Sequence, residues 1–248
     1  MPTYSVTAII TAYNEEKTVA DAVRATDTAL KKYTDDYEII VVDDASADAT
    51  GRIADALAQD NPRLRIIHNA VNRNIGYNMR LAVSMASKEY CFGVLNADNY
   101  LNEECFRSLL SSIGTHDMVM GYLVRYGEDR PWSRRFMSWA FTKIMNVLFW
   151  DHIRYYNGPL IVRTKVWQTV PMTTNSFAHI AEVTATLLKR KLSYTEIPFA
   201  LSPERKGVNL KMLRRNTVSV LKTLASLFWR LNVKNDLYAA TILKSDER

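Results

Sequence analysis

The stretch "YEIIVVDDASADATGRIADALAQD", from Tyr37 to Asp60, contains an apolar run, an acidic turn and an amphipathic segment in that order. A continuous apolar run is typical of a strand that is buried on both faces of a sheet. In the last part, apolar residues recur at the spacing of one helix face. The stretch therefore predicts a buried strand followed by a helix, which is the repeating unit of an α/β fold.

The same alternation continues on either side of this stretch. "SVTAIITAY" precedes it as a strand, and the helix "TVADAVRATDTALKKY" is expected to be capped by Thr18. "RLRIIHN" and "YCFGVLNAD" follow as strands, with the helix "GYNMRLAVSMAS" between them. Buried strands that alternate with amphipathic helices predict a mostly parallel sheet flanked by helices.

The second half of the chain is richer in aromatic and basic residues. It predicts strands at "DMVMGYLV", "GPLIVR" and "LSYTEIPFAL", a long helix from Trp132 to Trp150, and a shorter helix through "AEVTATLLKRK". A basic amphipathic helix is predicted from Val208 to Leu231. We expect one domain over residues 1–207, with a nucleotide-binding half (1–100) and an acceptor half (101–207), and a C-terminal amphipathic helical segment over 208–248.

Composition narrows the partners and the compartment. The 248 residues carry a net charge of +6, which favours an anionic partner such as a nucleotide, a nucleic acid or an acidic lipid surface. Nucleic acid is not predicted, because the basic residues do not form an aromatic-interleaved face. Cys91 and Cys105 are expected to be core thiols in a reducing compartment. We expect no signal peptide and no membrane span, since "FMSWAFTKIMNVLFW" is short and contains Lys143 and Asn146.

Polar side chains follow each predicted strand of the first half. They are Thr11, Tyr13 and Glu15 after the first strand, Asp43 and Asp44 after the second, "NRNIG" (Asn72 to Gly76) after the third, and Asn96 and Asp98 after the fourth. Ligands of such sheets bind at the carboxyl ends of the strands, and the glycine at a helix start is compatible with a phosphate. Each group alone also fits a turn or a helix cap, but four of them at one edge favour a binding site.

The segment Asn96-Ala97-Asp98 raises a question about metal binding. Two side-chain oxygens, one residue apart at the end of a buried strand, suit a cation or a phosphate. The first is an amide, where Mg²⁺ or Mn²⁺ would normally meet a second carboxylate. From the residues alone, the segment is a weakened metal site, a modified metal site or an Asx turn.

These segments resemble the successive motifs of family 2 glycosyltransferases, which have the Rossmann-like GT-A fold. The motifs are "AIITAYNEEKTV", "EIIVVDDASADAT", "NRNIG" and "LNADN". Three later segments, "RRFMSWAFTKIMNVLF", "YYNGPLIVRTKVW" and "AEVTATLLKRKLSYTEIPFALSPERKG", are similar to the dolichol-phosphate mannose synthase branch. The resemblance extends from Ser5 to Lys211. It implies transfer of a sugar from a nucleotide donor to a polyprenyl phosphate, in the synthesis of cell-envelope glycans.

The resemblance also implies a set of substrate-binding residues: Thr11, Tyr13, Glu15, Asp44, Ala97, Arg125, Arg134, Ser138 and Arg205. The first four would line the nucleoside pocket, with Asp44 facing the base or the ribose. Arg134 and Ser138 match an Arg-x-x-x-Ser motif that holds the acceptor phosphate, and Arg205 lies in a loop that would approach the diphosphate.

Asn96 and Asp98 match the two ends of the family's metal-binding Asp-x-Asp motif, so the resemblance implies Mg²⁺ or Mn²⁺ as cofactor. Asp98 joins Arg134 and Ser138 as the residues expected to carry catalysis.

Three positions depart from the family pattern. The proline beside the first strand end is here Thr11-Ala12, and the loop Arg205-Lys206-Gly207 is one residue tighter than the usual Arg-x-x-Gly. The third is Asn96, whose amide oxygen can bind a hard cation but adds no charge, so metal affinity is expected to fall. Asp98 and the donor diphosphate could still hold the ion, and we interpret the segment as a modified metal site.

The chemistry of the acceptor gives a separate reason to expect a lipid phosphate. Transfer to a sugar hydroxyl needs a general base, whereas a phosphate monoester is already ionised near neutral pH, with a second pKa of about 6. It needs cations to position it, and "RPWSRRF" supplies Arg130, Arg134 and Arg135, with Arg125 upstream. A solvated basic loop is the alternative interpretation of this segment.

Two helices have the pattern of interfacial segments. Phe136, Trp139, Ala140, Lys143, Val147 and Trp150 share a helical spacing. The helix Val208–Leu231 pairs Leu213, Val220, Leu224, Leu227 and Leu231 with Arg214, Arg215, Lys222 and Arg230. Such patterns favour the headgroup region of a membrane, although a core-packed helix with a basic outer face has the same pattern. We therefore expect peripheral association with the cytoplasmic face of the membrane.

The sequence thus predicts an inverting, metal-dependent transferase that moves a hexose from a nucleotide sugar to a dolichyl- or undecaprenyl-type phosphate. Two alternatives stay open. One is a family 2 glycosyltransferase with a saccharide acceptor, for which Glu182 or Asp98 would be the candidate base, although Glu182 could instead pair with a cation. The other is a catalytically silent nucleotide-binding homologue, suggested by Asn96.

Overall fold

The computed structural model describes residues 3–97, 101–125, 132–200 and 223–238, with the backbone alone at Val94, Leu95, Arg125, Ser133 and Arg134. The sheet comprises β1 (Val6–Ala12), β2 (Tyr37–Asp43), β3 (Leu64–His68), β4 (Tyr90–Asn96), β5 (Met118–Arg125), β6 (Leu160–Arg163) and β7 (Tyr194–Ala200). The α-helices with assigned bounds are α1 (Val19–Tyr33), α2 (Thr50–Gln59), α3 (Ile75–Met85), α4 (Glu103–Ser111), α5 (Trp132–Phe149), α6 (Thr164–Gln168) and α7 (His179–Lys189).

The seven strands form one sheet in the order β3-β2-β1-β4-β6-β5-β7. β1 pairs in parallel with β2 and β4, β2 with β3, and β5 with β7. β6 runs antiparallel between β4 and β5. The predicted mostly parallel α/β sheet is confirmed, and the carboxyl ends of β1 to β4 lie along one edge.

The central strands are largely apolar because helices cover both faces of the sheet. Successive side chains of a strand alternate between the faces, so Ile39 and Val41 of β2 belong to one core and Ile40 and Val42 to the other. The first core includes residues of α1, α2 and α4, and the second includes residues of α3, α5, α6, α7 and the segment 223–231. The predicted core thiols, Cys91 and Cys105, are both buried and free.

Thr18 differs from its prediction. It occupies the N-cap position of α1, but its hydroxyl does not cap the helix. The hydroxyl donates instead to Glu15 Oε2 at 3.0 Å. A cap would need the hydroxyl oxygen to accept from a backbone N–H of the first turn, and the Thr18 side chain is instead turned towards the Glu15 carboxylate.

The C-terminal helix is only partly described. Residues 208–222 lie outside the described residues, residues 223–228 are α-helical, and a π-helix follows at Trp229–Val233. Leu224, Leu227 and Leu231 are buried in the second core. For this part, packing against the domain replaces the expected interfacial docking. Within the ranges given above, no helix has the length and apolar character needed to cross a bilayer.

Candidate functional site

The ends of β1 and β4 bring Thr11 and Asn96 into contact. The two residues are register partners in the parallel pair, and Thr11 Oγ1 donates to Asn96 Oδ1 at 2.9 Å. The Ala97 amide donates to the Thr11 carbonyl at 3.1 Å, and Ala97 is fully buried. The polar edge therefore begins between these strands, while Asp98 lies outside the described residues.

The loops that follow β1 and β2 are joined by reciprocal hydrogen bonds. The Asn14 amide donates to Ser46 Oγ at 2.9 Å, and the Ala47 amide donates to Asn14 Oδ1 at 2.8 Å. The Glu15 amide donates to Thr50 Oγ1 at 2.7 Å. Asn14 has a φ of 55°, which Asn tolerates better than most residues. These contacts hold Tyr13, half of whose surface is exposed, at the open edge of the sheet.

Asp44 lies at the carboxyl end of β2 and is almost fully buried, with 3% of its surface exposed. Its Oδ1 accepts from Asn69 Nδ2 and from the Arg73 amide, both at 2.8 Å, and its Oδ2 accepts from the Asn74 amide at 2.9 Å. An ionised carboxylate has about four acceptor positions. Asp44 therefore fixes the loop after β3 and keeps one acceptor position for a further donor.

Gly76 does not form the phosphate cradle suggested by its place at a helix start. Its amide donates to the Asn175 carbonyl at 3.1 Å. A Cβ at this position would lie 2.3 Å from the Thr174 carbonyl oxygen. The backbone of 174–175 fills the space that a phosphate would need, so glycine is required here for close approach of two backbone segments.

Glu182 is not placed to act as a general base. It is 1% exposed and accepts hydrogen bonds from the Thr173 amide, the Thr173 hydroxyl and the Thr174 amide, and from Arg230 Nη2 at 3.0 Å. Four donors occupy the four acceptor positions of the carboxylate. Glu182, one of the two candidate bases for a saccharide acceptor, is thus part of an ion pair. This is the alternative role that the sequence analysis gives it.

Arg230 was expected on the basic outer face of the C-terminal helix, and this prediction is wrong. Its guanidinium is buried and also donates to the Pro171 carbonyl at 2.7 Å. The Pro171 carbonyl and the Glu182 carboxylate are the partners that make burial of the guanidinium charge possible.

The predicted acceptor residues are separate from this cluster or outside the described residues. Ser138 is half-buried in α5, and its carbonyl accepts from Thr142 Oγ1 at 3.1 Å. In the part of the chain that the structure describes, no hydrogen bond joins Ser138 to the strand-end residues. Arg134 lies four residues earlier in α5, Arg125 ends β5, and Arg205 lies outside the described residues.

Asn96 fits a hard cation as a single oxygen ligand. Its Oδ1 has two lone pairs, of which the Thr11 hydroxyl uses one. No group of three or more His, Cys, Asp and Glu side chains in the described ranges is placed to hold a metal ion. The described residues thus supply one oxygen of the predicted metal site, and its other predicted ligand, Asp98, lies outside them.

Comparison with known proteins decides the family. The model of glycosyl transferase family 2 matches residues 7–170. The chain belongs to this family. The matched region of this family 2 member contains every strand-end residue described above, so the site lies inside the family's own domain.

Curated relatives of this family 2 member include two kinds of polyprenyl-phosphate sugar transferase. The chain is 29% identical over 199 residues to undecaprenyl-phosphate 4-deoxy-4-formamido-L-arabinose transferase of Pseudomonas fluorescens, covering 73% of this chain and 57% of the relative. It is 31% identical over 141 residues to undecaprenyl-phosphate mannosyltransferase of Micrococcus luteus, covering 54% and 56%. The chain spans little more than half the length of these relatives.

Solved structures support the GT-A fold of this family 2 member. Glucosyl-3-phosphoglycerate synthase from Mycobacterium tuberculosis, in complex with Mn²⁺, UDP and phosphoglyceric acid, superposes with a TM-score of 0.72 at 15% identity over 91% of this chain and 78% of that chain. Mannosyl-3-phosphoglycerate synthase from Rubrobacter xylanophilus gives 0.72 at 17% identity, over 94% and 75%. At these identities the likeness concerns the fold alone.

Sequence reasoning missed several residues that build the site. Asn69 binds Asp44, Thr50 binds the Glu15 amide, and Arg80 Nη1 donates to the Met172 carbonyl at 2.8 Å. Asn69 is the last residue of the predicted third strand, so its place at a strand end could have identified it. Arg80 lies within a helix and binds a segment 92 residues away, and no local pattern reveals such a contact.

Proposed function

We propose that this protein is an inverting glycosyltransferase that moves a hexose from a nucleotide-diphosphate sugar to a polyprenyl phosphate of undecaprenyl or dolichyl type. The observation that carries the proposal is the polar cluster at the carboxyl ends of β1, β2 and β4, in a chain that belongs to glycosyl transferase family 2. The polyprenyl acceptor is supported by the names of the two relatives that act on undecaprenyl phosphate.

The donor nucleoside would bind across the ends of β1 and β2. The exposed ring of Tyr13 offers a face for the base. Asp44 keeps one acceptor position for a donor group of the base or ribose, and Thr11 and Glu15 complete the proposed pocket. Asn96 and Asp98 would hold Mg²⁺ or Mn²⁺, which when bound offsets negative charge on the leaving diphosphate.

The acceptor step needs no general base. An oxygen of the ionised phosphate attacks the anomeric carbon while the bond from that carbon to the diphosphate oxygen breaks, and the configuration inverts. Arg134 and Ser138 would hold the phosphate, four residues apart and so on one face of α5. A saccharide hydroxyl would need a free base. The ion pair of Glu182 removes one of the two candidate bases for it and so supports the phosphate acceptor.

A transfer assay tests the proposal. Release of UDP or GDP from a panel of nucleotide sugars is expected to require undecaprenyl phosphate in detergent. Arg134→Ala should lower acceptor efficiency about thirtyfold, equivalent to about 2 kcal/mol for an accessible charged partner. Ser138→Ala should lower it about fivefold, as a neutral hydroxyl contributes about 1 kcal/mol. Donor binding measured by calorimetry should stay unchanged in both variants.

Arg107→Ala is the control, since it removes an exposed arginine from another helix, α4. If Arg134→Ala lowered the affinities for donor and acceptor equally, Arg134 would be assigned to the nucleotide diphosphate and not to the acceptor. If the sugar were transferred to a saccharide and undecaprenyl phosphate had no effect, the acceptor would be a saccharide and not a polyprenyl phosphate. Nucleotide binding without turnover on any donor would favour the silent homologue.

The outer face of α5 supports peripheral membrane association. The exposed apolar residues at one helical spacing within α5 are Trp132, Phe136, Trp139 and Val147, which we call the α5 stripe; Trp150, also exposed, follows the end of the helix. Lys143 is exposed within the same spacing. Apolar and aromatic residues with cations on one face suit the headgroup region. We propose that the protein associates with the cytoplasmic face of the membrane through this surface.

Flotation with vesicles that contain anionic lipid checks the surface. We expect binding at low salt that weakens at high salt, because the attraction of the cations is screened. Val147→Ser should weaken binding about tenfold, since a buried valine side chain contributes about 1.5 kcal/mol. Val71→Ser is the matched control, an exposed valine outside the stripe. No vesicle binding at low salt, or equal effects of both variants, would contradict the assignment.

A further inference from the structure

His68 lies between two carboxylates at the carboxyl end of β3. It is the register partner of Asp43 in β2, so the two side chains lie next to each other on one face of the sheet. His68 Nδ1 lies 3.0 Å from Asp43 Oδ2, and Nε2 lies 3.0 Å from Asp55 Oδ1 of α2. A neutral imidazole has one N–H, whereas an imidazolium has two. Two carboxylate contacts at once therefore select the charged form.

Helix α2 packs closely against this ion pair. A Cβ added to Gly51 would lie 2.7 Å from Asp43 Oδ2 and 3.1 Å from His68 Cε1. Asp43 itself is 5% exposed. A side chain at position 51 would displace the pair, so the close fit leaves the Asp43 carboxylate little freedom to rotate.

The other oxygen of Asp43 holds the turn that leads into the candidate donor pocket. Asp43 Oδ1 accepts from the Ser46 amide at 3.1 Å. Within this turn Ala45 has a φ of 60°, a conformation that an L-residue adopts at a cost. Ser46 Oγ in turn accepts from the Asn14 amide at 2.9 Å. Through these hydrogen bonds, the orientation of the Asp43 side chain affects the positions of the loops that carry Asp44 and Tyr13.

We propose that His68 is a positioning residue for the nucleotide-binding pocket, acting through Asp43 on the turn 43–46 and tethered from outside by Asp55. This inference rests on the proposed function, because it assigns the pocket to a nucleotide. His68 does not touch the substrate in this assignment. Its role is to keep the Asp44 and Tyr13 loops in their binding arrangement.

The charge state of His68 sets the direction of the expected pH dependence. The charged groups that act on its imidazole, among the described residues, are Asp55 of α2 and Asp43 of β2. Hydrogen bonds to Asp55 and then Asp43 raise the pKa of His68 above its ordinary value of 6.5, and burial opposes this only in part. The stabilisation of the turn 43–46 by the His68 imidazolium is therefore fully present below pH 6.5 and is lost as the pH rises through the raised pKa. Nucleotide affinity should fall over the same range.

Calorimetry with UDP and GDP, in the presence of Mg²⁺ and over a range of pH, tests this role on the full chain. We expect affinity to fall about three- to tenfold as His68 loses its proton, the value of one hydrogen bond. Asp55→Asn should move the midpoint down by about one pH unit, because it removes a neighbouring opposite charge. Asp60→Asn, at the C-cap of α2, changes the same charge without contacting His68 and should leave the midpoint unchanged. A merely structural role for Asp55 would change stability but not this midpoint.

NMR keeps the inference separate from the nucleotide assignment. The Ser46 amide proton should titrate with the same midpoint as the His68 imidazole, in the absence of any nucleotide. The positioning role would be overturned if nucleotide affinity did not change at the pH where His68 titrates, or if the Ser46 amide shift did not change there. If neither UDP nor GDP binds while the Ser46 amide follows His68, the proposed function falls and the coupling of His68 to the turn stands.

Discussion

Arg230→Met is expected to lower the free energy of unfolding by about 3–5 kcal/mol, because it leaves the buried Glu182 carboxylate without its cation. The Arg230–Glu182 pair has side-chain exposures of 9% and 1% at a separation of 3.0 Å. For a chain of this size, each kcal/mol lowers the melting temperature by about 2–4 °C. Chemical denaturation and calorimetric melting measure the effect.

Arg163→Met provides the matched control. Arg163 pairs with Glu89 at 2.5 Å, but both side chains are about half exposed. An exposed pair contributes about 0–1 kcal/mol, so this variant should be close to wild type. A double change of Glu182→Gln with Arg230→Met should recover part of the lost stability, since no unpaired buried charge remains. Equal small effects of Arg230→Met and Arg163→Met would contradict the assigned role of the buried pair.

The buried pair also has a consequence for the site. Glu182 holds the Thr173 and Thr174 amides, and the adjoining Asn175 carbonyl accepts from the Gly76 amide. The segment that contacts the start of α3 is therefore anchored by a residue of the C-terminal helix. The ion pair with Glu182 explains why Arg230 is buried in the domain, although the sequence predicts the cations of this segment on its outer face.

Asp98→Ala is expected to lower transfer by at least about a hundredfold, because charge stabilisation by the metal ion contributes several kcal/mol in the transition state. Nucleotide binding should also lose its dependence on Mn²⁺. Steady-state turnover and calorimetry with and without Mn²⁺ measure the two effects. The control is Asp60→Ala, which removes a carboxylate at the far end of α2. Normal turnover together with unchanged Mn²⁺-dependent binding would remove Asp98 from the proposed metal site.

Asn96→Asp tests the same site in the opposite direction. It adds a carboxylate beside Thr11 and should strengthen Mn²⁺ binding, because charge count raises the affinity of an oxygen site for a hard cation. The Thr11 hydroxyl that donates to Asn96 can donate equally to a carboxylate. A folded Asn96→Asp protein with no Mn²⁺ response would favour the Asx-turn interpretation of the segment.

Much of the fold follows from local pattern. Strands β1 to β4 are short, mainly apolar runs, and the helices between them carry an apolar face, so period and length identify each element within a few residues. The strand-end residues could be predicted for a geometric reason, since all carboxyl ends of parallel strands lie at one edge. Thr11, Asp44 and Asn96 do lie there.

Other features depend on contacts between residues far apart in sequence. The apolar run of β6 predicts a strand but carries no sign of its antiparallel place between β4 and β5. Thr18 has the right residue type and position for a cap, yet its side chain is turned towards the Glu15 carboxylate and accepts no hydrogen bond from the first turn of α1. Gly76 has the signature of a phosphate turn, but the backbone of 174–175 occupies that space.

Periodicity, strand ends and motifs are local properties, so the strand and helix segments, the family resemblance and the edge of the sheet that carries the polar groups could be predicted from the sequence. The contacts of Glu182, Arg230 and His68 could not, because they form between separate elements of the folded chain. Glu182 and Arg230 are 48 residues apart and His68 and Asp43 are 25 apart. The acceptor positions of a carboxylate can be counted only when its partners are in place, and folding brings those partners from separate elements.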